Sequence, residues 1–189
     1  ERLPDTHITG DVRCWDKAAT EPSTTNPDPD WTRGLRGALV HKAITLSNGD
    51  VLPPKTILIK HLASCRLGPG ERDAFIKTTA DQDGKEVRIR GPQDPGGAGV
   101  GDAVAFRTLL RGFTVKTETV SGNKVLRFGP ASSAAHPKST GGKYGRIVAV
   151  RGDWNDALFA ELEAFTGAKN GHDDIVDTMS DLVDELDNH

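Results

Sequence analysis

Alternating apolar and polar residues, separated by turn-forming residues, predict six strands in this chain. The predicted strands span residues 11–16, 34–46, 55–65, 87–90, 113–119 and 146–150. Apolar residues at helical spacing predict helices between and after them. The predicted helices span residues 71–81, 100–111, 153–165 and 172–187. Strands come first, helices and strands then alternate, and two helices follow. We therefore expect an α/β fold with a mixed central sheet flanked by helices.

The size of the chain fits one domain. At 189 residues it can bury one sizeable core, and no internal repeat divides it, so we expect a single domain over residues 1–189. No apolar run approaches the roughly 18 residues of a membrane span, and the N-terminus lacks a signal-peptide pattern. The first residue is Glu1 rather than Met, so we expect part of a longer protein. Cys14 and Cys65 lack CxxC spacing, which is typical of buried reduced thiols and favours an intracellular setting.

The last predicted helix opens with an unusual concentration of carboxylates. Its first residues read His172-Asp173-Asp174-Ile175-Val176-Asp177. Asp173 and Asp174 lie four and three positions before Asp177, so helical geometry puts both pairs on one surface. Such like-charge pairs cost a few tenths of a kcal/mol each. A divalent cation would offset this repulsion, and oxygen-only ligands suit Mg²⁺ or Mn²⁺.

The charge of the chain is unevenly distributed. The net charge is −3, but residues 171–189 carry seven acidic residues and no Lys or Arg. The other 170 residues hold 24 basic and 20 acidic residues, so they are mildly basic. The region 121–145, where we expect a short helix and a mobile loop or hairpin, contributes Lys143, and Arg146 follows it. This basic density would suit sequence-independent contacts with DNA phosphates.

Two further acidic residues stand at or just after predicted strand ends. Asp16 closes the first strand, and Asp94 follows the strand over residues 87–90. If these strands are neighbours, their carboxylates can meet at one edge of the sheet, and the final helix can add Asp174 and Asp177. A nest of this kind binds two divalent ions about 3.5–4 Å apart. These ions activate water and stabilise the leaving oxygen of a phosphodiester.

The ordered motifs resemble one known family. In chain order they are Arg13-Cys14-Trp15-Asp16-Lys17-Ala18-Ala19-Thr20, Asp28-Pro29-Asp30-Trp31-Thr32, Gln93-Asp94-Pro95-Gly96-Gly97-Ala98-Gly99, Gly122-Asn123-Lys124-Val125-Leu126-Arg127, Gly152-Asp153-Trp154-Asn155 and His172-Asp173-Asp174-Ile175-Val176-Asp177-Thr178-Met179-Ser180. Together they resemble the C-terminal nuclease domain of the large terminase subunit of tailed bacteriophages. The resemblance implies a ribonuclease H-like fold. It also implies a metal-dependent endonuclease that cleaves concatemeric double-stranded viral DNA during genome packaging, in the host cell cytoplasm.

The resemblance also implies roles for individual residues. Asp16 would bridge two Mg²⁺ or Mn²⁺ ions, Asp174 and Asp177 would supply further metal ligands, and Asp173 could take part. Many relatives have Glu where this chain has Pro92, and a second acid where Asp94 stands. This departure leaves Asp94 as the local carboxylate.

Further expectations concern partners. Lys124 and Arg127 match a basic pair of the family that would approach the DNA, and we assign DNA contacts to Lys143 and Arg146 as well. By resemblance, the partners are a terminase ATPase domain in the same chain, the small terminase subunit and the portal protein. No G-x-x-x-x-G-K-[ST] loop occurs here, so the packaging ATPase domain is absent from this sequence.

Several alternatives stay open. The missing Glu at Pro92 favours a non-catalytic module that docks DNA or partner subunits through a degenerate site. Another ribonuclease H-like nuclease, such as a junction resolvase or a transposase core, would carry similar acids. His172 could be a metal ligand or proton shuttle, or instead a helix cap or solvent-exposed residue. Arg88 and Arg90 could contact phosphate or form a solvated face. The later acids of the last helix are expected to be solvated, namely Asp181, Asp184, Glu185 and Asp187.

Overall fold

A computed structural model describes residues 3–18, 20–119, 122–167 and 172–188. Ala19 of the Asp16 motif and Ser121 of the region 121–145 lie outside the described residues. The strands are β1 (Ile8–Asp16), β2 (Thr32–Val40), β3 (Ile44–Thr45), β4 (Val51–Leu52), β5 (Ile57–Cys65), β6 (Arg88–Gln93), β7 (Val115–Thr119) and β8 (Ile147–Ala149). The helices are α1 (Pro69–Asp83), α2 (Gly97–Leu109), α3 (Lys124–Ala135), α4 (Asn155–Ala164) and α5 (Asp174–Asp187). Among these helices, none is long and apolar enough to cross a bilayer.

Six strands form one mixed sheet in the order β7-β6-β1-β2-β5-β8. β1, β2 and β5 are an antiparallel meander, whereas β6 is parallel to β1, β7 is parallel to β6, and β8 is parallel to β5. The predicted strand over 34–46 is divided, because β2 ends at Val40 and β3 pairs with β4 in a separate hairpin. The predicted class, a mixed central sheet flanked by helices, is confirmed.

Two layers of helices cover the sheet. On one face, α5 packs on β1 and β2 and is flanked by α3 and α4. The apolar stripe predicted for the last helix is buried there, at Ile175, Val176, Met179, Leu182, Val183 and Leu186. On the other face, α1 and α2 pack around Trp15 and Phe106. Trp15 is therefore a core residue.

Strand alternation determines which residues reach the α5 face. Val12 and Cys14 belong to the core beneath α5, while Trp15 belongs to the opposite core. Because successive side chains of a strand point to opposite faces, Asp16 is on the α5 side with Val12 and Cys14. In the neighbouring strand, Arg90 pairs in register with Cys14 and reaches Asp181 of α5. Both strands thus bring polar residues to the face of the sheet that α5 covers.

Candidate active site

Asp16 ends β1 beside α5. Its side chain is partly exposed at the rim of the sheet, and its carboxyl group is surrounded by other carboxylates. Burial, together with the nearby charges of Asp174 and Asp177, raises the pKa of Asp16 to about 8. Lys124 opposes this shift without cancelling it. Burial and the neighbouring negative charges therefore both favour the protonated form of this carboxyl group in the metal-free protein.

Asp94 follows β6, the strand next to β1. The turn after it uses Gly96 at φ 97°, a left-handed conformation that favours glycine. Gly99, in the first turn of α2, packs directly on the backbone of Asp94: a Cβ atom there would lie 1.9 Å from the Asp94 carbonyl oxygen. The glycine-rich run thus allows a tight connection from strand to helix. That connection presents Asp94 at the end of the sheet where Asp16 lies.

The first turn of α5 supplies the remaining predicted acids. Asp173 occupies the N-cap position but makes no side-chain capping bond. Asp174 is 7% exposed, and its Oδ2 atom accepts a hydrogen bond from the backbone N–H of Trp31 at 3.0 Å. Burial raises the pKa of Asp174 to about 6, and the Trp31 hydrogen bond partly counters this rise. One turn later, Asp177 faces the end of β1.

One cleft gathers most of these carboxylates. Its volume is about 130 Å³. It is lined by Trp15, Asp16, Pro92, Asp94, Arg127, Asp177 and Asp181. Asp174 does not line the cleft, although its negative charge helps to raise the pKa of Asp16. Asp173 does not line it either.

The donor set of the cleft fits hard divalent cations. Three predicted ligands, Asp16, Asp94 and Asp177, contribute only oxygen atoms, which are the ligands that Mg²⁺ and Mn²⁺ prefer. A cation would also favour the ionised form of Asp16, which burial and the neighbouring negative charges disfavour. The residues present therefore fit a divalent ion at this place.

Basic residues of α3 neutralise the α5 acids. Lys124 Nζ lies 2.6 Å from Asp173 Oδ1 and 2.7 Å from Asp177 Oδ2. Arg127 reaches Asp177 at 3.1 Å and Asp181 at 3.3 Å. The Asn123 side chain caps this helix by accepting a hydrogen bond from Val125 N. Arg127 of the predicted basic pair thus lines the cleft, and Lys124 pairs with the acids of the first turn of α5.

The other two predicted DNA contacts lie elsewhere. Lys143 pairs with Asp50 at 3.2 Å, and Arg146 pairs with Asp187 at 2.5 Å. Neither lines the carboxylate cleft. Lys143 is exposed and remains accessible to a large ligand.

The expectation that the later acids of α5 are solvated is wrong for two of them. Asp181 and Glu185 are buried. Asp181 pairs with Arg90 and Arg127, and burial raises its pKa against their attraction. Glu185 pairs with Arg88 at 2.6 Å. The spacing from Asp177 to Asp181, one helical turn, is the signal that could have identified Asp181 as a cleft residue.

The same ion pairs correct the interpretation of Arg88 and Arg90. Arg90 is buried and contacts Asp181, Asp184 and Glu118. It is therefore paired with protein carboxylates and does not form a solvated face. Arg88 and Arg90 tie β6 to α5 through these ion pairs.

A second group of possible ligands adjoins Asp174. One donor atom each from Asp30, His172 and Asp174 lies within 4.8 Å of the others. Asp30 belongs to the loop between β1 and β2, whose neighbouring Trp31 ring lies 4.1 Å from Arg66 and 4.3 Å from Arg33. The Asp28-to-Thr32 motif suggested no role for Asp30, because no local pattern indicates that this loop meets α5.

Comparison with known proteins supplies one match. A family model described as the terminase RNaseH-like domain matches residues 59–187. The match begins in β5 and extends to the end of α5, so it includes Asp94 and the α5 acids but not Asp16. No curated protein matches the chain significantly.

Proposed function

Since this chain belongs to the family of terminase RNaseH-like domains, we propose that it is a metal-dependent endonuclease of viral genome packaging. Its substrate would be concatemeric double-stranded DNA, and its reaction the hydrolysis of phosphodiester bonds. The six-stranded mixed sheet flanked by helices is consistent with the ribonuclease H-like fold of the family. The family thus supports a nuclease role, and the site suggests how that role would be performed.

One observation carries the proposal. Acids from β1, from the end of β6 and from α5, far apart in the sequence, border a single cleft. Asp16, Asp94 and Asp177 would hold Mg²⁺ or Mn²⁺ there, and Asp174 would contribute from its border. Such a cluster is costly without a cation, as the raised pKa of Asp16 indicates. The α5 acids are balanced by Lys124, Arg127 and Arg90, but these ion pairs do not include Asp16 or Asp94.

The chain's own residues would prepare the site for hydrolysis. When bound, two divalent ions supply an activated water and stabilise the charge on the phosphate and the leaving oxygen. Asp16, at the fixed end of a central strand, would orient the ions relative to the sheet. Lys124 and Arg127, which pair with the α5 acids, would turn to the DNA phosphates once cations neutralise those acids. Lys143 and Arg146 would extend the contact along the duplex.

The family membership also supports a setting. We propose that the domain acts beside a terminase ATPase domain of the same polypeptide, with the small terminase subunit and the portal protein of a tailed bacteriophage. This would place it in the cytoplasm of the host cell.

Cleavage of plasmid DNA tests the proposed reaction. Supercoiled plasmid incubated with the chain and Mn²⁺ or Mg²⁺ should be nicked and linearised, and EDTA should stop the reaction. Asp16→Asn should reduce the rate by at least 10²-fold, on the order of the loss of one charge-stabilising group in other enzymes. Asp156→Asn, at an exposed position of α4, is the matched control and should cleave normally. Undiminished cleavage by Asp16→Asn would refute the assignment.

One observation favours a second candidate. Pro92 lines the cleft at the position where many relatives of the resembled family carry Glu, so the cleft has one carboxylate fewer there. A degenerate site of this kind would suit a module that docks DNA or partner subunits without cutting. Metal binding with no cleavage of linear, supercoiled or branched DNA would support this second candidate. Preferential cleavage of branched DNA would instead indicate a junction resolvase.

A further inference from the structure

We propose that Asp30, His172 and Asp174 form a binding site for a divalent transition-metal ion, separate from the ions of the carboxylate cleft. The site extends the proposed nuclease, with which it shares Asp174, but its occupancy can be measured without any cleavage. One donor atom from each of the three residues lies within 4.8 Å of the others. The site therefore joins the β1–β2 loop to the beginning of α5.

The ring nitrogen Nδ1 of His172 is the first argument. It is buried, and no hydrogen-bond partner for it exists among the described residues. Its nearest acidic atoms, Asp30 Oδ1 and Asp174 Oδ2, are each 3.9 Å away. That distance is too long for a hydrogen bond. A buried polar atom without a partner needs an explanation, and a ligand between these atoms supplies one.

The spacing suits a shared ion. Carboxylate oxygens and imidazole nitrogens bind transition ions at about 2.0–2.2 Å, so one ion can contact two donors about 4 Å apart. The Asp30 side chain is 81% exposed, which leaves it free to close the remaining gap. Asp174 is held by the Trp31 N–H and is the fixed end of the set.

The other ring nitrogen of His172 supports the same arrangement. Nε2 lies 3.0 Å from Asp28 Oδ2, and metal-bound histidines usually donate their second N–H to such a carboxylate. Arg66 also lies 3.0 Å from Nε2, but a guanidinium only donates, and one nitrogen cannot satisfy both neighbours. Arg66 keeps a 2.5 Å contact with Asp28 Oδ1 in either case. Donation from Nε2 to Asp28 therefore leaves Arg66 paired with the other oxygen of Asp28 and a lone pair on Nδ1.

The surrounding contacts make the loop a firm support. The Trp31 ring, next to Asp30, lies against the guanidinium groups of Arg33 and Arg66. Arg33 forms a buried ion pair with Glu161 at 3.0 Å, and Glu161 also accepts a hydrogen bond from Ile175 N in α5. The loop and the first turn of α5 are thus tied to the same residues. Preorganised donors of this kind favour binding, because little ordering remains to be done.

The donor chemistry selects the ion. Imidazole suits transition ions, whereas Mg²⁺ prefers oxygen ligands and retained water. One imidazole with two carboxylates therefore favours Mn²⁺ or Zn²⁺ over Mg²⁺. The carboxylate cleft, by contrast, offers only oxygen ligands and would bind Mg²⁺ as well as Mn²⁺. The domain would then hold two kinds of cation site that share one aspartate.

Spectroscopy of the Mn²⁺-loaded chain tests the proposal. Electron spin-echo envelope modulation detects ¹⁴N coupling from an imidazole bound directly to Mn²⁺. We expect this coupling in the unmodified chain and in His41→Ala, an exposed control, but not in His172→Ala. His172→Gln, which can still donate to Asp28, should also lose it. The coupling thus reports a bound imidazole and not a merely structural role.

Mn²⁺ titration gives an independent measurement. His172→Ala and Asp30→Asn should each weaken one Mn²⁺ site at least about ten-fold, as loss of a ligand or its support does elsewhere. Asp156→Asn should leave every site unchanged. Mg²⁺ should compete poorly for the site that these variants remove.

The outcomes separate this proposal from the nuclease. Asp16→Asn should lose cleavage but keep the nitrogen coupling. If the chain shows the ¹⁴N coupling but does not cleave DNA, the proposed nuclease activity is refuted and the proposed His172 site is supported. Absence of ¹⁴N coupling at saturating Mn²⁺, or its persistence in both His172 variants, would overturn the His172 site whatever the cleavage result.

Discussion

Replacing Asp16 by Asn should change how the stability of the metal-free domain depends on pH. The folded protein keeps a proton on Asp16 up to about pH 8, whereas the unfolded chain releases it near the ordinary aspartate pKa of 3.8. Between these values the unfolded state binds fewer protons than the folded state. The free energy of unfolding must therefore fall as pH rises through this window. Asn does not titrate, so the variant lacks this contribution.

The magnitude follows from the two pKa values. Each pH unit within the window lowers the free energy of unfolding by about 1.4 kcal/mol. Through Asp16, the free energy of unfolding should therefore fall by about 4 kcal/mol from pH 4 to pH 7. Urea denaturation in EDTA at both pH values measures the difference. Over this interval, the free energy of unfolding of the wild type should fall by about 4 kcal/mol more than that of Asp16→Asn. The pKa of Asp174 is also raised, so Asp174 adds to the fall in both proteins and does not account for the difference between them.

Addition of Mn²⁺ completes this prediction. A cation favours the ionised carboxylate, so at pH 7 it should stabilise the wild type much more than the variant. Asp156→Asn should follow the wild type in every condition. Equal pH dependence of the wild type and Asp16→Asn would refute the reasoning, because burial and the neighbouring acids would then not raise the pKa of the Asp16 carboxyl group.

Three further substitutions test the support of the site. Glu161→Gln removes the partner of the buried Arg33 and should lower the free energy of unfolding by about 3–5 kcal/mol, measured by urea denaturation. Gly99→Ala would put a methyl group 1.9 Å from the Asp94 carbonyl oxygen. It should therefore cost about 1–3 kcal/mol of stability, and plasmid nicking should slow because Asp94 moves. Lys124→Met would remove one of the proposed phosphate contacts and should then reduce the slope of log affinity against log salt by about one, measured by DNA titration.

Each of these substitutions has a matched control. Glu163→Gln changes an exposed residue of the same helix and should leave stability unchanged. Gly101→Ala places its methyl group in open space within α2 and should stabilise the helix by about 0.5–1 kcal/mol. Lys85→Met removes an exposed positive charge from a turn and should leave the salt slope as it is. A control that behaves like its partner variant would contradict the corresponding contact.

Much of the fold could be predicted because its main elements have strong local signals. The last helix carries a continuous apolar stripe, and the structure places α5 within two residues of the expected start. Asp16 could be placed at a strand end from the short alternating segment before it, and β1 does end there. The short hairpin of β3 and β4 was missed, since two-residue strands carry almost no periodic signal.

Contacts between distant residues could not be predicted in the same way. Trp31 meets Asp174 across 143 positions, and nothing local in the Asp28-to-Thr32 motif indicates this. Arg90 looked like a solvated residue because its alternation is that of a half-exposed strand, yet α5 covers it. The helix predicted over 153–165 begins only at Asn155, and its N-cap residue Trp154 makes no side-chain capping bond.

A crystal of the domain soaked in Mn²⁺ tests the central claim most directly. Anomalous scattering at the manganese edge locates the ions independently of any activity. We predict two peaks about 3.5–4 Å apart between Asp16, Asp94 and the first turn of α5, in addition to the separate peak proposed beside His172. A saturated crystal with no peak beside Asp16 would contradict the proposal that these acids form a metal-dependent nuclease site.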